Sequence, residues 1–243
     1  MTKLLKCPVC QGVSFRKKLS CKDYTYSKET FKVVSCETCW FAFTNPRPKD
    51  DEIGKYYCSE MYISHTNNTE GVFNLIYQAV RKLSIRAKVS LLKGLHPRGT
   101  HLDIGCGTGE FLNACRDAGF KTKGIEPSET ARKQAIENYN LSVSENTNLE
   151  KYLNDEIGSV SMWHVLEHVT NLNETISQIY RIVKPQGKVI VAVPNYKCWD
   201  AAYYKEHWAA WDVPIHLWHF SEKTIKQIFS KHGFELIKTK PKQ

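Results

Sequence analysis

The chain has 243 residues, enough for one full α/β domain and a small appendage, and 42% of them are hydrophobic, an ordinary globular value. No apolar run approaches the ~20 residues a membrane-spanning helix needs, and the N-terminal Met-Thr-Lys-Leu-Leu-Lys-Cys lacks the apolar centre of a secretory signal, so a cytoplasmic protein is expected. A net charge of +9 suits RNA, an anionic membrane surface or an acidic substrate, and equally a basic protein with none of these partners.

Nine cysteines in a cytosolic chain are expected to be metal ligands and buried thiols. Cys7-Pro-Val-Cys10 and Cys36-Glu-Thr-Cys39 are two C-x2-C pairs separated by 25 residues. Two such knuckles bring four thiolates to a tetrahedral, structural Zn²⁺ with no open position. Between them Phe31, Val33 and Val34 read as strand, as do Trp40, Phe41 and Phe43 after them; Cys21 is expected in the core or as a spare thiol. Residues 1–49 therefore read as a zinc-ribbon-like module, with ten Lys or Arg against three Asp or Glu. Residues 50–98 read as a linker and N-terminal helices. Asn45-Pro46-Arg47-Pro48 makes a stiff exit. Tyr56, Tyr57 and Tyr62 are weak pocket candidates in a short helix and loop, and Val72 to Leu95 carries apolar residues at helical spacing (Phe73, Ile76, Tyr77, Val80, Leu83) up to Gly94 and Pro97.

The third region, 99–243, begins with His101-Leu-Asp-Ile-Gly-Cys-Gly-Thr-Gly-Glu110. Residues 100–104 read as a buried strand, three alternate glycines follow, and Phe111, Leu112, Cys115 and Ala118 share a helix face. A strand, a glycine turn and a helix start present backbone N–H groups to a ligand at close range. The spacing G-x-G-x-G, with Glu110 at the place of the third glycine of a dinucleotide fingerprint, disfavours a nicotinamide dehydrogenase. Glu126 closes a second strand, 122–125, where an acid accepts bonds from ribose hydroxyls. Ser128 is placed to cap a helix over 129–139. Strands are expected at 141–143, 159–165 and 188–195, the last buried on both faces after a turn at 184–187. Helices are expected at 171–183 and from Ser221 to about His232, and a strand at 235–240.

Leu-Asp-Ile-Gly-Cys-Gly-Thr-Gly-Glu-Phe, Gly-Ile-Glu-Pro-Ser and Trp-His-Val-Leu-Glu-His-Val, in this order, resemble the first, second and fourth-strand motifs of class I S-adenosylmethionine-dependent methyltransferases. The resemblance covers residues 95–240. It implies a Rossmann-like α/β sheet with helices on both faces, and S-adenosyl-L-methionine as cofactor. It places the cofactor on Asp103, Gly105, Cys106, Gly107, Thr108, Gly109, Glu126 and Pro127, with Asn148 and Leu149 toward the adenine and Trp163 and His164 lining cofactor and substrate. It also implies a further C-terminal strand, which the chain lacks, so truncation is one expectation. Some relatives that methylate quinone precursors hold a divalent metal near the positions of His164, Glu167 and His168; the preferred alternative is that Glu167 and His168 brace the following loop. Relatives with an N-terminal cysteine module act on small metabolites, sugars or ribosomal RNA.

The segment 196–220 is rich in aromatic residues, which suits a pocket wall for a ring-bearing or apolar acceptor, or a hydrophobic plug over the sheet. Its histidines supply the candidate bases His216 and His207, with His168 a third. The family's Pro-x-His-Leu-x-x-Phe-Ser pattern, here Pro214 to Ser221, favours His216. Tyr203 and Tyr204 are weaker candidates, and Asp212 is placed to orient a histidine. The expected reaction is O- or C-methylation of a small-molecule acceptor such as a sugar, quinone precursor or lipid-linked metabolite. An RNA methyltransferase that reads through its basic ribbon, and a non-catalytic ribbon-binding protein, are the alternatives.

Overall fold

The computed structural model describes residues 1–57, 72–95 and 99–241, with side chains from residue 78 onward in the second stretch. Tyr62, Pro97 and the side chains of Phe73, Ile76 and Tyr77 lie outside the described residues. In chain order the elements are β1 (Phe15–Lys22), β2 (Thr30–Cys36), β3 (Ala42–Thr44), α1 (Val72–Leu95), β4 (Thr100–Ile104), α2 (Glu110–Asp117), β5 (Lys121–Ile125), α3 (Glu129–Tyr139), β6 (Val143–Ser144), β7 (Ile157–Trp163), α4 (Leu172–Ile182), β8 (Val183–Ala192), α5 (Trp199–Tyr204), β9 (Trp218–His219) and α6 (Glu222–Lys231). They form two units: one from the described residues of 60–163 and 181–192, the other from those of 1–59, 164–180 and 193–243.

The first unit holds a five-stranded parallel sheet in the order β6-β5-β4-β7-β8. Parallel neighbours need long crossovers, and α2 and α3 supply the first two. The chain moves outward from β4 to β6 and then returns to β7, so the strand order reverses beside β4, where ligands of such sheets bind. Leu92 of α1, Phe111 and Cys115 of α2, Phe120 and Ile190 form one buried cluster; Cys106, Leu112, Ala135 and Leu141 form another. Ser128 caps α3 by accepting from the Ala131 N–H. β8 differs from expectation. It starts at Val183, takes in the segment read as a turn, and buries only Val183 and Ile190. It is the last strand in the sheet order, paired on one side alone, so its apolar residues are only partly covered.

The second unit is built on a four-stranded antiparallel sheet, β1-β2-β3-β9. The last strand is two residues long and comes from the far end of the chain, with Ala42 opposite His219 and Phe43 opposite Trp218. Residues 1–49, set apart above by their cysteine motifs, thus share this sheet with a strand from the far end of the chain. Cys21, Phe31, Val33 and Ala42 share a core with Tyr196, Trp211 and Val213, and the Cys21 thiol donates to the Glu206 carbonyl at 3.1 Å. Phe41 packs against Phe43, Trp218 and Phe220 with ring centroids 5.6–6.1 Å apart. Trp40, read as strand, instead has φ 67° and belongs to the second knuckle, its N–H donating to the Cys36 carbonyl. Ser221 and Thr224 form a reciprocal cap on α6. Residues 235–240, read as a strand, have no regular structure and are exposed. Their apolar content, Leu236 and Ile237, is too small to anchor them to a sheet.

Candidate functional site

In the parallel-sheet unit the chain leaves β4 through Gly105, Gly107 and Gly109 at φ 71°, 56° and 87°. At Gly109 a Cβ would also lie 2.7–2.8 Å from Leu141 and Ala135, so glycine is required for turn and packing alike. Gly105 and Cys106 donate their N–H groups to the Ile125 carbonyl, tying the turn to the end of β5. Glu126, the next residue, is buried; its carboxylate accepts from the Gly107 N–H at 2.8 Å and the Ser128 N–H at 2.9 Å. Burial raises its pKa, and the two N–H donors oppose that rise. Thr108 donates to Glu110, which pairs with Arg81 of α1. Pro127 is exposed beside this turn, Cys106 buried within it.

Asp103 is fully enclosed, and burial pushes its carboxyl up to about 7 against the Ser161 hydroxyl donor and the positive charge of Lys88. The sequence reading missed what lies beside it. His101 is buried with Nδ1 2.9 Å from the Ser159 hydroxyl and Nε2 3.0 Å from that of Ser161. Strand periodicity places His101 and Asp103 on one face of β4, but which serines lie opposite depends on the β4–β7 register, which only the fold supplies. Trp163 ends β7 with Lys88 Nζ 4.3 Å from a ring centroid; its Nε1–H is buried without a hydrogen-bond partner among the described residues. Asn148 turns back on its own backbone, accepting from the Glu150 N–H, while Leu149 is buried.

Asp103 carries a stability consequence. Its pKa is about 7 in the fold against an ordinary 3.8, so across that interval the native state holds a proton the unfolded chain has lost. Stability from this group is therefore present at low pH and falls as pH rises toward 7. Asp103→Asn should flatten that slope and unfold at a higher temperature than wild type at pH 8. Superimposable melting profiles from pH 5 to 8 would refute the assignment.

In the antiparallel-sheet unit, Cys7, Cys10, Cys36 and Cys39 gather their sulfurs within 4.8 Å of one another. Two S···S distances are 3.5 Å, near the ~3.8 Å edge of a tetrahedron with ~2.3 Å Zn–S bonds. Gly12 lies against them, and an added Cβ would be 3.3 Å from both Cys10 and Cys36 sulfurs. The donor set fits a closed four-thiolate ion.

The same unit holds a second cluster, in which ligand atoms of Glu167, His168 and His216 lie within 4.8 Å of one another. Glu167 is fully buried and neither carboxylate oxygen has a hydrogen-bond partner among the described residues. His164, at φ 59°, brings Nδ1 to 3.3 Å from it. The rings of His168 and His216 meet edge-on at 4.6 Å. Each points Nδ1 at a carbonyl, His168 at Ile215 (3.1 Å) and His216 at Ala210 (2.9 Å). A carbonyl only accepts, so the proton sits on Nδ1 of His216, and in the neutral form of that ring Nε2 has the lone pair; Nδ1 of His168 is shared between the Ile215 carbonyl and the Tyr57 hydroxyl. Tyr57 reaches His168 with its hydroxyl at 3.1 Å. Burial and the neighbouring His216 press the His168 pKa down to about 4. Asp212 lies 3.8 Å from His216 Nε2, too far for a hydrogen bond. The backbone carbonyl of Glu167 accepts from the Leu217 and Trp218 N–H groups. His207 stands apart from this cluster, exposed and 3.2 Å from the Tyr24 hydroxyl. The aromatic segment divides: Tyr196, Trp211, Trp218 and Phe220 are buried, while Trp199 and Tyr203 are 70% and 64% exposed.

A parallel sheet whose central strand opens into a glycine turn braced by a buried acid after the next strand defines the class I S-adenosylmethionine-dependent methyltransferases. Two partly compensated buried carboxyls, Asp103 and Glu126, also fit a cofactor that carries a sulfonium and an ammonium group. Residues 75–239 match the family described as "Methyltransferase domain", and the chain belongs to it. It is 27% identical to the ubiquinone biosynthesis O-methyltransferase of Bartonella tribocorum over 192 residues, 70% of this chain and 77% of that protein. Among solved structures, magnesium protoporphyrin IX methyltransferase from Synechocystis PCC 6803, with bound SAH, is similar at TM-score 0.57 and 16% identity, covering 74% of this chain and 85% of that one. A SAM-dependent methyltransferase from Archaeoglobus fulgidus is similar at TM-score 0.54 and 22% identity, covering 68% and 75%. The protein is an S-adenosylmethionine-dependent methyltransferase, and among the described residues no helix is long and apolar enough to cross a membrane.

Proposed function

We propose that the enzyme methylates an oxygen or carbon of a small-molecule acceptor, in the range of sugars, quinone precursors and lipid-linked metabolites. The observation that carries this reading is His216, a buried histidine whose Nδ1 donates to the Ala210 carbonyl, an arrangement that leaves the lone pair of the neutral ring on Nε2. A hydroxyl or acidic carbon needs such an acceptor for its proton. The likeness to a protein named for O-methylation in ubiquinone biosynthesis supports the same reading; nothing in the comparisons supports RNA.

When bound, S-adenosylmethionine supplies an activated methyl group. In this reading Asp103, Gly105, Cys106, Gly107, Thr108, Gly109 and Glu126 hold it, with Glu126 on the ribose hydroxyls. Asn148, Leu149, Pro127 and Trp163 complete the wall on the same unit. His216 takes the proton. His168 is a poorer base because its lone pair, with a pKa near 4, has little affinity for a proton at neutral pH. The four thiolates hold a structural Zn²⁺.

His216→Gln should lower kcat by about 10²- to 10⁴-fold while S-adenosylhomocysteine binds as in wild type; His207→Gln should change neither. A His216→Gln enzyme of undiminished kcat would remove the base. The buried Glu167 carboxylate, which accepts no hydrogen bond among the described residues, favours a second reading, in which Glu167, His168 and His216 hold a divalent cation that binds the acceptor hydroxyl. Activity indifferent to added Mg²⁺ or Mn²⁺ after metal removal that spares the thiolate zinc would discard it.

A further inference from the structure

The antiparallel-sheet unit carries a second concavity whose lining includes none of Glu167, His168 and His216. It has a volume of about 540 Å³, and its walls include Arg16 of β1, Trp40 of the second knuckle, Lys197 and the start of α6 with Ser221, Glu222 and Lys223. The Arg16 guanidinium lies 4.3 Å from the Trp40 ring centroid, and Trp40 is still 43% exposed. Beside it, Lys18 and Lys197 lie 4.6 and 5.6 Å from the centroid of one ring, that of Tyr196.

These cations crowd one another. Burial lowers the pKa of Lys18, and the charges of Lys197 and Arg16 lower it further. Among the described residues none of Arg16, Lys18, Lys197 and Lys223 has a carboxylate within 4.0 Å. Glu222 and Cys39, one of the four proposed zinc ligands, are the acidic groups on the wall, and even with the charge of about −2 on a four-thiolate zinc site the four cations leave the region positive. Like charges gathered without counter-ions destabilise a fold, and an anion bound among them offsets that cost. The volume lies within the range of small-ligand sites, roughly 300–1,000 Å³. A nucleic-acid groove would instead need cations spread along an extended track.

We infer that this cleft binds a phosphorylated, ring-bearing small molecule of nucleoside-diphosphate size, with its ring on the open face of Trp40 and its phosphates among Arg16, Lys197 and Lys223. This is independent of the methyl-transfer reading.

The test is calorimetric titration of the zinc-loaded full chain with uridine 5′-diphosphate, with saturating S-adenosylhomocysteine present to occupy the cofactor site. Inorganic pyrophosphate and a short RNA oligonucleotide are the comparison probes. The diphosphate should bind, and the Lys197→Gln/Lys223→Gln double variant should weaken it about tenfold or more. Trp40→Leu should weaken the diphosphate but not pyrophosphate. Both variants should still melt cooperatively and keep the wild-type S-adenosylhomocysteine affinity, and the double variant, relieved of two crowded charges, should melt no lower than wild type, which separates loss of the cleft from loss of the fold. No binding of the diphosphate, or equal binding by wild type and double variant, would overturn the site. Pyrophosphate binding as tightly as the diphosphate would overturn the role of Trp40. RNA binding more tightly than either would overturn the small-molecule assignment.

Discussion

Cys36→Ser should leave the chain without bound zinc and abolish cooperative unfolding of the β1-β2-β3-β9 sheet. The thiolates of Cys7, Cys10, Cys36 and Cys39 converge within 4.8 Å, and without an ion between them four sulfurs at this spacing have only weak contacts to make. Structural zinc contributes about 10–16 kcal/mol in isolated finger peptides, as much as the ~5–15 kcal/mol that holds a whole domain. The loss should spread beyond the knuckles, because the Tyr196 hydroxyl donates to the Trp40 carbonyl at 2.8 Å and β3 pairs with β9. Elemental analysis should find one zinc per wild-type chain and none in the variant, with the near-ultraviolet dichroism of the buried tryptophans lost in parallel. A metal-free variant that melts like wild type would show the cluster to be dispensable.

Glu126→Ala should weaken S-adenosylhomocysteine binding by about 2–4 kcal/mol, roughly 30- to 1,000-fold, since hydrogen bonds to a charged acceptor contribute ~1.5–3 kcal/mol each. Two effects combine. The variant loses the acceptor proposed for the ribose hydroxyls, and it releases the Gly107 and Ser128 N–H groups that the carboxylate holds. Glu126→Gln keeps one acceptor oxygen and should fall between. Calorimetric titration of the three proteins checks the order, and equal affinities would remove Glu126 from the cofactor site.

Much of the parallel-sheet unit was legible because its signals are local. Alternation through Leu102 and Ile104, the glycines and the capping Ser128 specify strand, turn and helix within a few residues of each other. Glu126 was found from its distance after the glycines, and the thiolate cluster from its C-x2-C spacing. What escaped is non-local. Two-residue β9 has no periodicity of its own and exists because β3 offers it an edge. The left-handed turn at Trp40 follows from the knuckle's hydrogen bond to Cys36, not from tryptophan's own preference. The His101–Ser161–Asp103 chain needs the β4–β7 register, and the isolation of the Glu167 carboxylate depends on which groups surround it. Nothing in the segment 164–169 itself reveals that.

The pairing of β3 with β9 also constrains how the molecule is made. Thr44 meets His219, its hydroxyl 3.1 Å from Nε2, 175 residues further along the chain. At ~5–20 residues per second, translation leaves the first three strands waiting about 10–35 s for the fourth. During that interval β3 has an open edge beside Phe41 and Phe43, side chains that are fully buried once the sheet is complete. Early zinc capture by the two knuckles would hold the hairpin in register through the wait. Metal supply during synthesis should then govern the yield of soluble enzyme, whatever its effect on the finished protein.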